Sequence, residues 1–346
     1  MKSWDVIIAG AGIIGVSLAL ELRERGATVL VLDRAEPGAE ASSAAAGMLA
    51  PADPETPIAL RPLAMASARM FPAFVQKLET AGNMQVDFRR IGTIALLPDA
   101  SAPREYRSLS LTELRRIEPS IHAAGQSAFF VHEDSVDPSL LMQAALAAAR
   151  NLAIEIRGHT TVKEVRVHDS AVEVLTETEK LTSASVVDCR GAWSGAPVRP
   201  RKGQMLYAQP HRALLQHVLR APDVYIVPRS SGKVLAGATV EDVGFDKSVN
   251  RIAIHQLLSA AAKYLPELAS APITQSWAGL RPGTPDDLPI IGPTDTAGIF
   301  VATGHFRNGI LLAPVTAQIV ADLVGSRPSP MDISAFSPTR FRSTGK

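Results

Sequence analysis

The sequence is poor in several features that indicate particular classes of protein. Its 346 residues include one cysteine, Cys189, which excludes an internal disulfide and fits a reducing compartment. The formal net charge is +1 and no long basic run occurs, which argues against nucleic acid as a partner. No spacing typical of metal ligands and no Ser/His/Asp pattern stands out, so the sequence predicts neither a metal centre nor a serine nucleophile.

Targeting signals and long hydrophobic runs are also missing. The segment Met1-Lys2-Ser3-Trp4-Asp5 leads directly into the first predicted strand, without the pattern of a signal peptide. The apolar stretch 6–20 is shorter than a membrane span and contains a glycine turn. With 46% apolar and 20% charged residues, the composition is typical of a soluble globular protein, and we expect it in the cytoplasm.

The most informative stretch is the first 34 residues. A short apolar run is followed at once by Gly10-Ala11-Gly12-Ile13-Ile14-Gly15 and then by a helical pattern over 16–25. A second apolar run, 27–32, ends at Asp33. The order of strand, glycine turn, helix, strand and acid is typical of a dinucleotide-binding unit.

Each part of this unit has a physical role. Gly10 allows the tight turn, Gly12 lets a pyrophosphate approach the backbone, and Gly15 lets the helix pack on the strand. The N–H groups and the dipole at the helix start favour the phosphates. Asp33 can accept hydrogen bonds from both ribose hydroxyls and disfavours a 2′-phosphate, so FAD or NAD is predicted rather than NADP.

The remaining chain predicts further helices and strands. Helices are expected at 58–81 (with a break at Pro72), 111–118, 138–150 (capped by Asp137), 251–264 and 310–324. Strands are expected at 92–97, 127–131, 153–156, 160–167, 172–176, 184–188, 203–208, 213–219, 224–228, 234–239, 273–281 and 298–303. The spacing of the strands between 203 and 238 indicates antiparallel hairpins.

This order predicts an α/β fold in which a Rossmann-like FAD-binding domain carries an inserted antiparallel β-rich substrate domain. The FAD-binding domain is expected at 1–82, 135–202 and 286–346, and the substrate domain at 83–134 and 203–285. The chain has one dinucleotide fingerprint, whereas enzymes that reduce a flavin with NAD(P)H usually have a site for each nucleotide. If FAD is bound, its electrons should therefore come from the substrate and leave to dioxygen or a carrier.

Two regions outside the first unit could contribute to a site. The loop 304–309 precedes a helix, so its N–H groups could stabilise charge on the flavin's pyrimidine edge; a plain helix cap by Asn308 is the alternative. Arg281 ends an apolar strand, and Arg307 lies in the loop. Either guanidinium could bind a substrate carboxylate or form a structural ion pair. His305 is expected to orient the loop rather than to act as a base.

The small-residue stretch 41–51 could run along a bound cofactor or could be a flexible connection. Cys189 lies on an apolar strand without a local histidine, so a buried structural thiol is predicted rather than a reactive one.

Several segments together resemble the D-amino-acid-oxidase-like FAD-dependent oxidoreductases, and within them the glycine oxidases of the ThiO type. They span nearly the whole chain in the family's order: Gly-Ala-Gly-Ile-Ile-Gly at 10–15, Ser-Ala-Ala-Ala-Gly-Met-Leu at 43–49, Tyr-Ile-Val-Pro-Arg at 225–229, Trp-Ala-Gly-Leu-Arg-Pro-Gly-Thr-Pro-Asp at 277–286 and Gly-His-Phe-Arg-Asn-Gly-Ile-Leu-Leu-Ala-Pro at 304–314. The last two are specific to this branch.

The resemblance implies non-covalent FAD and assigns residues to its site. Arg281 matches the arginine that binds the substrate carboxylate, Arg307 a second arginine near it, and Tyr225 a tyrosine of the pocket. No catalytic base is assigned. The residues expected to contact FAD are Gly10, Gly12, Ile13, Ile14, Gly15, Asp33, Arg34, Ser42, Ser43, Ala46, Gly47, Met48, Val162, Gly191, His305, Phe306, Arg307, Asn308, Gly309, Ile310 and Leu311.

The implied activity is oxidation of glycine to the imino acid, with dioxygen reduced to hydrogen peroxide, for the thiazole branch of thiamine biosynthesis. The implied partners are thiazole synthase and further copies of the chain, as a dimer or tetramer. Val240 stands where a related glycine oxidase has methionine, and Asp223 replaces a histidine, so sarcosine and small D-amino acids stay open as substrates. The alternatives are a D-amino-acid dehydrogenase that passes electrons to quinone and a nucleotide-binding module without catalysis.

Overall fold

Three β-sheets and six α-helices form the part of the chain that the structure, a computed structural model, describes, namely residues 3–98, 103–168 and 171–341. The predicted domain ranges therefore include short stretches that lie outside the described residues. The two large sheets are called sheet 1 and sheet 2, and the small one sheet 3. Along the sequence, the chain leaves sheet 1 for sheet 2 and returns to sheet 1, and it does so twice. The strands of sheet 3 lie before and after the first segment of sheet 2 in sequence.

Sheet 1 contains the N-terminal dinucleotide unit. Its strands are β1 (Ser3–Ala9), β2 (Val29–Leu32), β9 (Glu155–Arg157), β10 (Glu164–His168), β11 (Ala171–Leu175), β12 (Lys180–Asp188), β18 (Ile290–Pro293) and β19 (Ile299–Thr303). The central strands β9, β2, β1, β12 and β19 are parallel, whereas β10, β11 and β18 pair antiparallel at the margins. The central strand β2 is a continuous, fully buried apolar run because both faces of the sheet are covered there.

Four helices cover one face of sheet 1: α1 (Ile13–Glu24), α2 (Arg61–Gly82), α4 (Pro138–Asn151) and α6 (Gly309–Val324). Helix α6 packs on α1 and on α2, and α2 also packs on α4. The stretch Ile58–Gly82 is long and apolar enough to cross a membrane by length and composition. Its residues Leu63, Phe71 and Leu78 are fully buried, so one face of the helix packs into this core.

Sheet 2 is almost entirely antiparallel. Its strands, in spatial order, are β17 (Ile273–Gly283), β13 (Arg199–Ala208), β16 (Val234–Gly237), β15 (Val224–Pro228), β14 (Val218–Ala221), β5 (Thr93–Leu97), β7 (Ser127–Val131) and β6 (Arg107–Leu109). Helices α3 (Leu111–Ile117) and α5 (Arg251–Tyr264) pack on one face and form a second core with it. Sheet 3 joins β3 (Met48–Leu49), β8 (Asp134–Val136) and β4 (Phe88–Arg89). The predicted fold class, a Rossmann-like parallel sheet combined with an antiparallel β-rich part, is confirmed.

Three predictions of secondary structure are wrong, namely the break at Pro72 and the strands at 213–219 and 160–167. Helix α2 continues through Pro72, because Phe71 and Val75 hold both flanks in the core although proline removes one helical hydrogen bond. The predicted strand at 213–219 is mostly a loop, since the Glu118 carboxylate accepts hydrogen bonds from the backbone N–H groups of Gln216 and His217.

The predicted strand at 160–167 begins only at 164, because the N–H of Thr160 bonds to the carbonyl of Asp33 beyond the end of β2. The hairpin order expected between 203 and 238 holds for β14, β15 and β16. Strand β13 instead pairs with β16 and β17, and β14 pairs in parallel with β5.

Candidate active site

A cavity of about 440 Å³ reaches from the N-terminal glycine turn to sheet 2. The glycine turn, the 40–48 segment, the ends of β12 and β19 and the start of α6 line one part, and strands β13, β15 and β17 line the other. Residues from both main sheets therefore meet in one cavity. A dinucleotide held at the glycine turn would point its reactive end towards the antiparallel sheet.

Two glycines of the turn, Gly10 and Gly15, stand where no side chain fits. Gly10 has φ +110°, and a Cβ there would lie 2.3 Å from the carbonyl oxygen of Cys189 on the neighbouring β12. A Cβ on Gly15 would lie 1.9 Å from the carbonyl oxygen of Gly10. Glycine is therefore required for β1 to turn into α1 at this distance from β12. The adjacent thiol of Cys189 is buried, and burial raises its pKa well above the ordinary value, in agreement with a structural role.

Two side chains complete the turn. Asp33 accepts hydrogen bonds from the N–H groups of Ala11 (2.7 Å to Oδ2) and Ala35 (2.9 Å to Oδ1). The Ser42 hydroxyl accepts one from the N–H of Ile13, in the first turn of α1, at 2.9 Å. Helix α1 has no acidic residue in its first turn, and the Asp33 carboxylate binds the N–H of Ala11, one residue before the N-cap Gly12. These residues fit a pyrophosphate beside the glycine turn.

The 40–48 segment is attached to sheet 2 rather than flexible. The buried Arg229 guanidinium donates to the carbonyls of Ala46 (2.7 Å) and Val136 (3.1 Å). Trp277 donates from its indole N–H to the carbonyl of Ala44 at 3.1 Å. Gly47 has φ +81°, and its missing Cβ would lie 1.9 Å from the Val136 carbonyl oxygen. The segment is thus held in a fixed course along the cavity wall, which favours the first of the two sequence interpretations.

Arg281 and Tyr225 lie together on the wall formed by sheet 2. The Arg281 guanidinium covers Gly203, where a Cβ would meet its Nη1 at 2.1 Å, and Nη1 donates to the carbonyl of Thr239 at 3.3 Å. Among the described residues, no carboxylate lies within ion-pair distance of Arg281. Burial raises the pKa of Tyr225 although the charge of Arg281 opposes it, so the hydroxyl stays protonated at neutral pH.

The side chains of the 304–309 loop have different surroundings from one another. Phe306 has φ +44° and lines the cavity with Arg307. Arg307 also lines the cavity, but its guanidinium pairs with the exposed carboxylate of Glu55. His305 is buried, and burial lowers its pKa to about 3. Its Nε2 lies 3.1 Å from the Thr316 hydroxyl of α6, so His305 is neutral and holds the loop against the helix.

Most residues predicted for the site line this one cavity, including Arg281, Tyr225 and Arg307. Four of the predicted FAD contacts do not. Gly15 packs against the glycine turn, the Ser43 hydroxyl donates to the Gly38 carbonyl, Asn308 begins α6, and the Leu311 side chain is buried in the core of sheet 1.

The two departures from the family pattern have different outcomes. Val240 lines the cavity. Asp223 lies at the turn between β14 and β15, where it accepts a hydrogen bond from Lys263 at 2.7 Å. The expectation that Asp223 bears on the pocket is wrong, because its side chain is bound to α5 and does not line the cavity.

Sequence reasoning did not assign Arg229, Met205, Arg190 or Trp193 to the site. Trp193 lines the cavity, and the guanidinium carbon of Arg34 lies 3.9 Å from the centre of one of its rings. A tryptophan directly after the glycine turn at 191 was the available signal. Arg229 lies in the family-like segment 225–229, but its hydrogen-bond partners lie 93 and 183 positions away in sequence and are brought to it only by the fold.

Comparison with known proteins assigns the chain to a family. The model of the family described as FAD dependent oxidoreductase matches residues 5–323. Glycine oxidase of Geobacillus kaustophilus is 35% identical over 366 residues, which cover 97% of each chain. The crystal structure of glycine oxidase from Geobacillus kaustophilus superposes with a TM-score of 0.93 at 31% identity and covers 99% of this chain and 100% of that one.

A longer relative is the bifunctional protein ThiO/ThiG of Trichormus variabilis, which is 35% identical over 360 residues. The match covers 98% of this chain but 55% of that protein, so the chain spans about half the length of these relatives. The family match extends over nearly all of both main sheets. The family's cofactor, FAD, is one of the two cofactors, FAD or NAD, that the glycine turn and Asp33 predicted. The chain belongs to the family of FAD-dependent oxidoreductases that includes the glycine oxidases.

Proposed function

We propose that this chain oxidises glycine, and also sarcosine or small D-amino acids, to the imino acid with FAD as cofactor. The proposal rests on the position of Arg281 in the cavity. Its guanidinium lines the same cavity as the glycine turn and, among the described residues, has no carboxylate partner. Arginine is the side chain that best matches a carboxylate, because its fork binds both oxygens.

The chain's own residues would orient the substrate. Arg281 binds the carboxylate. The protonated Tyr225 hydroxyl, which donates to Sδ of Met205 at 3.4 Å in the structure, would be a further donor after exchanging this weak acceptor for the substrate. Bound FAD supplies the acceptor for the hydride that leaves the α-carbon. Among the described residues that line the cavity, Asp33 and Glu40 are already engaged, and His305 is a neutral residue bound to Thr316. This fits a reaction that needs no protein base, provided that the substrate amine is neutral.

The residues proposed to hold FAD are those that line the cavity from the glycine turn to α6, with Arg34, Val162 and Gly191 towards the adenosine end. The proposal includes non-covalent binding, reoxidation by dioxygen to give hydrogen peroxide, and a cytoplasmic location. It also includes delivery of the imino acid to thiazole synthesis. The bifunctional ThiO/ThiG relatives support this last step, with thiazole synthase as the partner. The predicted assembly into dimers or tetramers and the predicted domain ranges stay part of the proposal.

A second candidate is an amino-acid dehydrogenase that passes electrons to quinone at a membrane. One observation favours it, namely that Ile58 and Met65 at the start of the apolar stretch Ile58–Gly82 are 82% and 43% exposed. The cavity supports both candidates equally, because they differ only in the electron acceptor.

The decisive experiment mixes the purified, FAD-loaded protein anaerobically with glycine, sarcosine and D-alanine while the flavin absorbance is followed. We expect glycine to bleach the flavin, and air to restore the colour with hydrogen peroxide as a product. Bleaching without reoxidation by air, but with reoxidation by a soluble quinone, would favour the dehydrogenase. A flavin that none of these amines reduces would contradict both candidates.

A further inference from the structure

A buried lysine lies behind the wall that carries Arg281. Lys202 on β13 is 3% exposed, and its ammonium group lies 3.0 Å from the Asp246 carboxylate and 3.8 Å from that of Glu241. Lys202 does not line the cavity. A buried ammonium is costly unless it is paired. Two carboxylates of one loop pair with Lys202, and these ion pairs tie the loop to β13.

The same carboxylates belong to a chain of hydrogen bonds. Glu241 accepts from the Gln204 amide at 2.7 Å and from the Thr239 hydroxyl at 2.5 Å. The Thr239 hydroxyl in turn accepts from the backbone N–H of Gln204 at 2.9 Å. The Gln204 side chain is fully buried, and its oxygen accepts from the N–H of Asn250 at 2.6 Å. We call Lys202, Gln204, Thr239, Glu241 and Asp246 the Lys202 network.

This network ends at the proposed carboxylate site. The carbonyl of Thr239 accepts the hydrogen bond from Nη1 of Arg281, and Val240, the next residue, lines the cavity. Arg281 otherwise rests on Gly203, between Lys202 and Gln204 in sequence. The side chains of Lys202 and Gln204 therefore hold the loop that contains Thr239 and Glu241. The Thr239 carbonyl of this loop in turn holds the guanidinium of Arg281.

We propose that the Lys202 network is a positioning device that holds the Thr239 carbonyl, and through it Arg281, in the orientation that binds a substrate carboxylate. Lys202 and Glu241 act through Thr239 and do not line the cavity themselves. The inference rests on the proposed function, because it assumes that Arg281 is the carboxylate anchor. A merely structural network would instead support folding or FAD retention without affecting carboxylate binding.

Glu241 is the residue to change. Burial raises the pKa of Glu241, but hydrogen bonds from Gln204 and Thr239 and the charge of Lys202 lower it by more, so the net shift is downward. The side chain is therefore ionised at neutral pH. Glu241→Gln keeps the size and removes one of the two carboxylate charges that pair with Lys202, leaving Asp246 in place. Thr239→Val is a second variant, because it removes the hydroxyl of the relay and keeps the carbonyl that Arg281 uses.

The neighbouring Asp242 provides a matched control. It lies on the same loop, but its carboxylate pairs with Arg199 at 3.2 Å, and both side chains are more than half exposed. Asp242→Asn makes the same chemical change one residue away from Glu241. It should leave carboxylate binding as in the wild type, because an exposed ion pair contributes little.

The test is titration calorimetry of the FAD-loaded protein with acetate, a carboxylate without an amine, together with FAD content and glycine kinetics. Glu241→Gln and Thr239→Val should weaken acetate binding by about 2- to 30-fold and raise the KM for glycine in parallel. The FAD content and the kcat at saturating glycine should change by smaller factors than the acetate affinity and the KM for glycine. If Glu241→Gln fails to fold, the result for Thr239→Val decides.

Unchanged acetate affinity in the folded variants would overturn the proposal, as would an equal loss in Asp242→Asn. Loss of FAD at unchanged acetate affinity would assign the network a structural role instead. A wild-type protein that binds acetate but does not oxidise glycine would contradict the proposed function, while the comparison among the variants would still decide on the Lys202 network.

Discussion

The carboxylate of Asp33 accepts a hydrogen bond from the backbone N–H of Ala11, with 2.7 Å between Oδ2 and the nitrogen. The acid at the end of β2 thus fixes the glycine turn that follows β1. Its other oxygen accepts from the N–H of Ala35 at 2.9 Å. Asp33 therefore organises the turn in addition to its proposed contact with the ribose of FAD.

Replacing Asp33 by asparagine should weaken FAD binding. The amide cannot supply two acceptor oxygens, so one backbone N–H loses its partner at a cost of about 1–3 kcal/mol. We expect the dissociation constant of FAD, measured by titrating the apoprotein, to rise by about 5- to 100-fold. Asp332→Asn is the control, because Asp332 also accepts a backbone hydrogen bond (from Ser334, 2.9 Å) but does not line the cavity. Equal effects of both variants would contradict a specific role of Asp33.

The flavin should be released by acid and should not be reduced by nicotinamides. After precipitation with acid, we expect the yellow colour in the supernatant, since the prediction is non-covalent binding. NADH and NADPH should not bleach the flavin anaerobically, because the sequence has one dinucleotide fingerprint. Colour retained in the pellet would indicate a covalent link, and rapid bleaching would indicate a second nucleotide site.

Arg281 should determine affinity for the carboxylate rather than for FAD. A charge-assisted bidentate pair contributes about 1.5–3 kcal/mol, which corresponds to about 10- to over 100-fold in affinity. Arg281→Ala should therefore raise the KM for glycine by this factor, and Arg281→Lys by less, because lysine keeps the charge but loses the fork. Both variants should keep their FAD.

Two controls sharpen the Arg281 measurement. Arg199→Ala removes an exposed arginine from the same strand pair and should leave glycine kinetics unchanged. A primary amine without a carboxylate should respond little to either substitution. Intact glycine oxidation in Arg281→Ala would point to Arg307 as the anchor, whereas loss of both FAD and fold would indicate a structural arginine.

The sequence predicted those parts of the molecule that depend on neighbouring residues. The glycine turn and the helix at 251–264 were found as expected, because their signals lie within a few residues. Asp223 was misjudged, since its partner Lys263 lies 40 positions away and occupies it on the outer surface. The strand at 213–219 failed for the same reason. Its apolar residues Leu214 and Leu215 are buried, but a distant carboxylate, Glu118, binds the following N–H groups.

The arrangement of the candidate site was also beyond the sequence. The family pattern indicated Arg281, but it did not show that the guanidinium lies over Gly203 and is held by the Thr239 carbonyl. Likewise, Arg307 was expected beside a substrate, whereas the structure pairs it with Glu55. Such contacts depend on side chains from separate strands and loops, and no local spacing encodes them.

The carboxyl group of Glu133 is buried and does not line the cavity. Glu133 is 5% exposed and lies 3.1 Å from the guanidinium of Arg220, which also pairs with Asp53 at 2.7 Å. Burial raises the pKa of Glu133 to about 7, with Asp53 acting in the same direction and Arg220 opposing it. The folded protein therefore keeps a proton on Glu133 at pH values where the unfolded chain has lost it. The more favourable protonation of Glu133 in the folded state stabilises the protein. This stabilisation is fully present below about pH 4.5 and is lost as the pH rises through about 7.

Glu133→Gln should remove this pH dependence while the fold survives, because the amide mimics the protonated acid and Asp53 still pairs with Arg220. In the wild type, Glu133 should lower the free energy of unfolding by up to about 1.4 kcal/mol for each pH unit between about 4.5 and 7. The measurement is urea unfolding of both proteins at several pH values in that interval. Glu267→Gln, which alters an exposed pair with Arg212, should reproduce the wild-type slope. If the wild type and Glu133→Gln gave the same slope, Glu133 would be ionised in the folded protein, and its pairing with Arg220 would outweigh its burial.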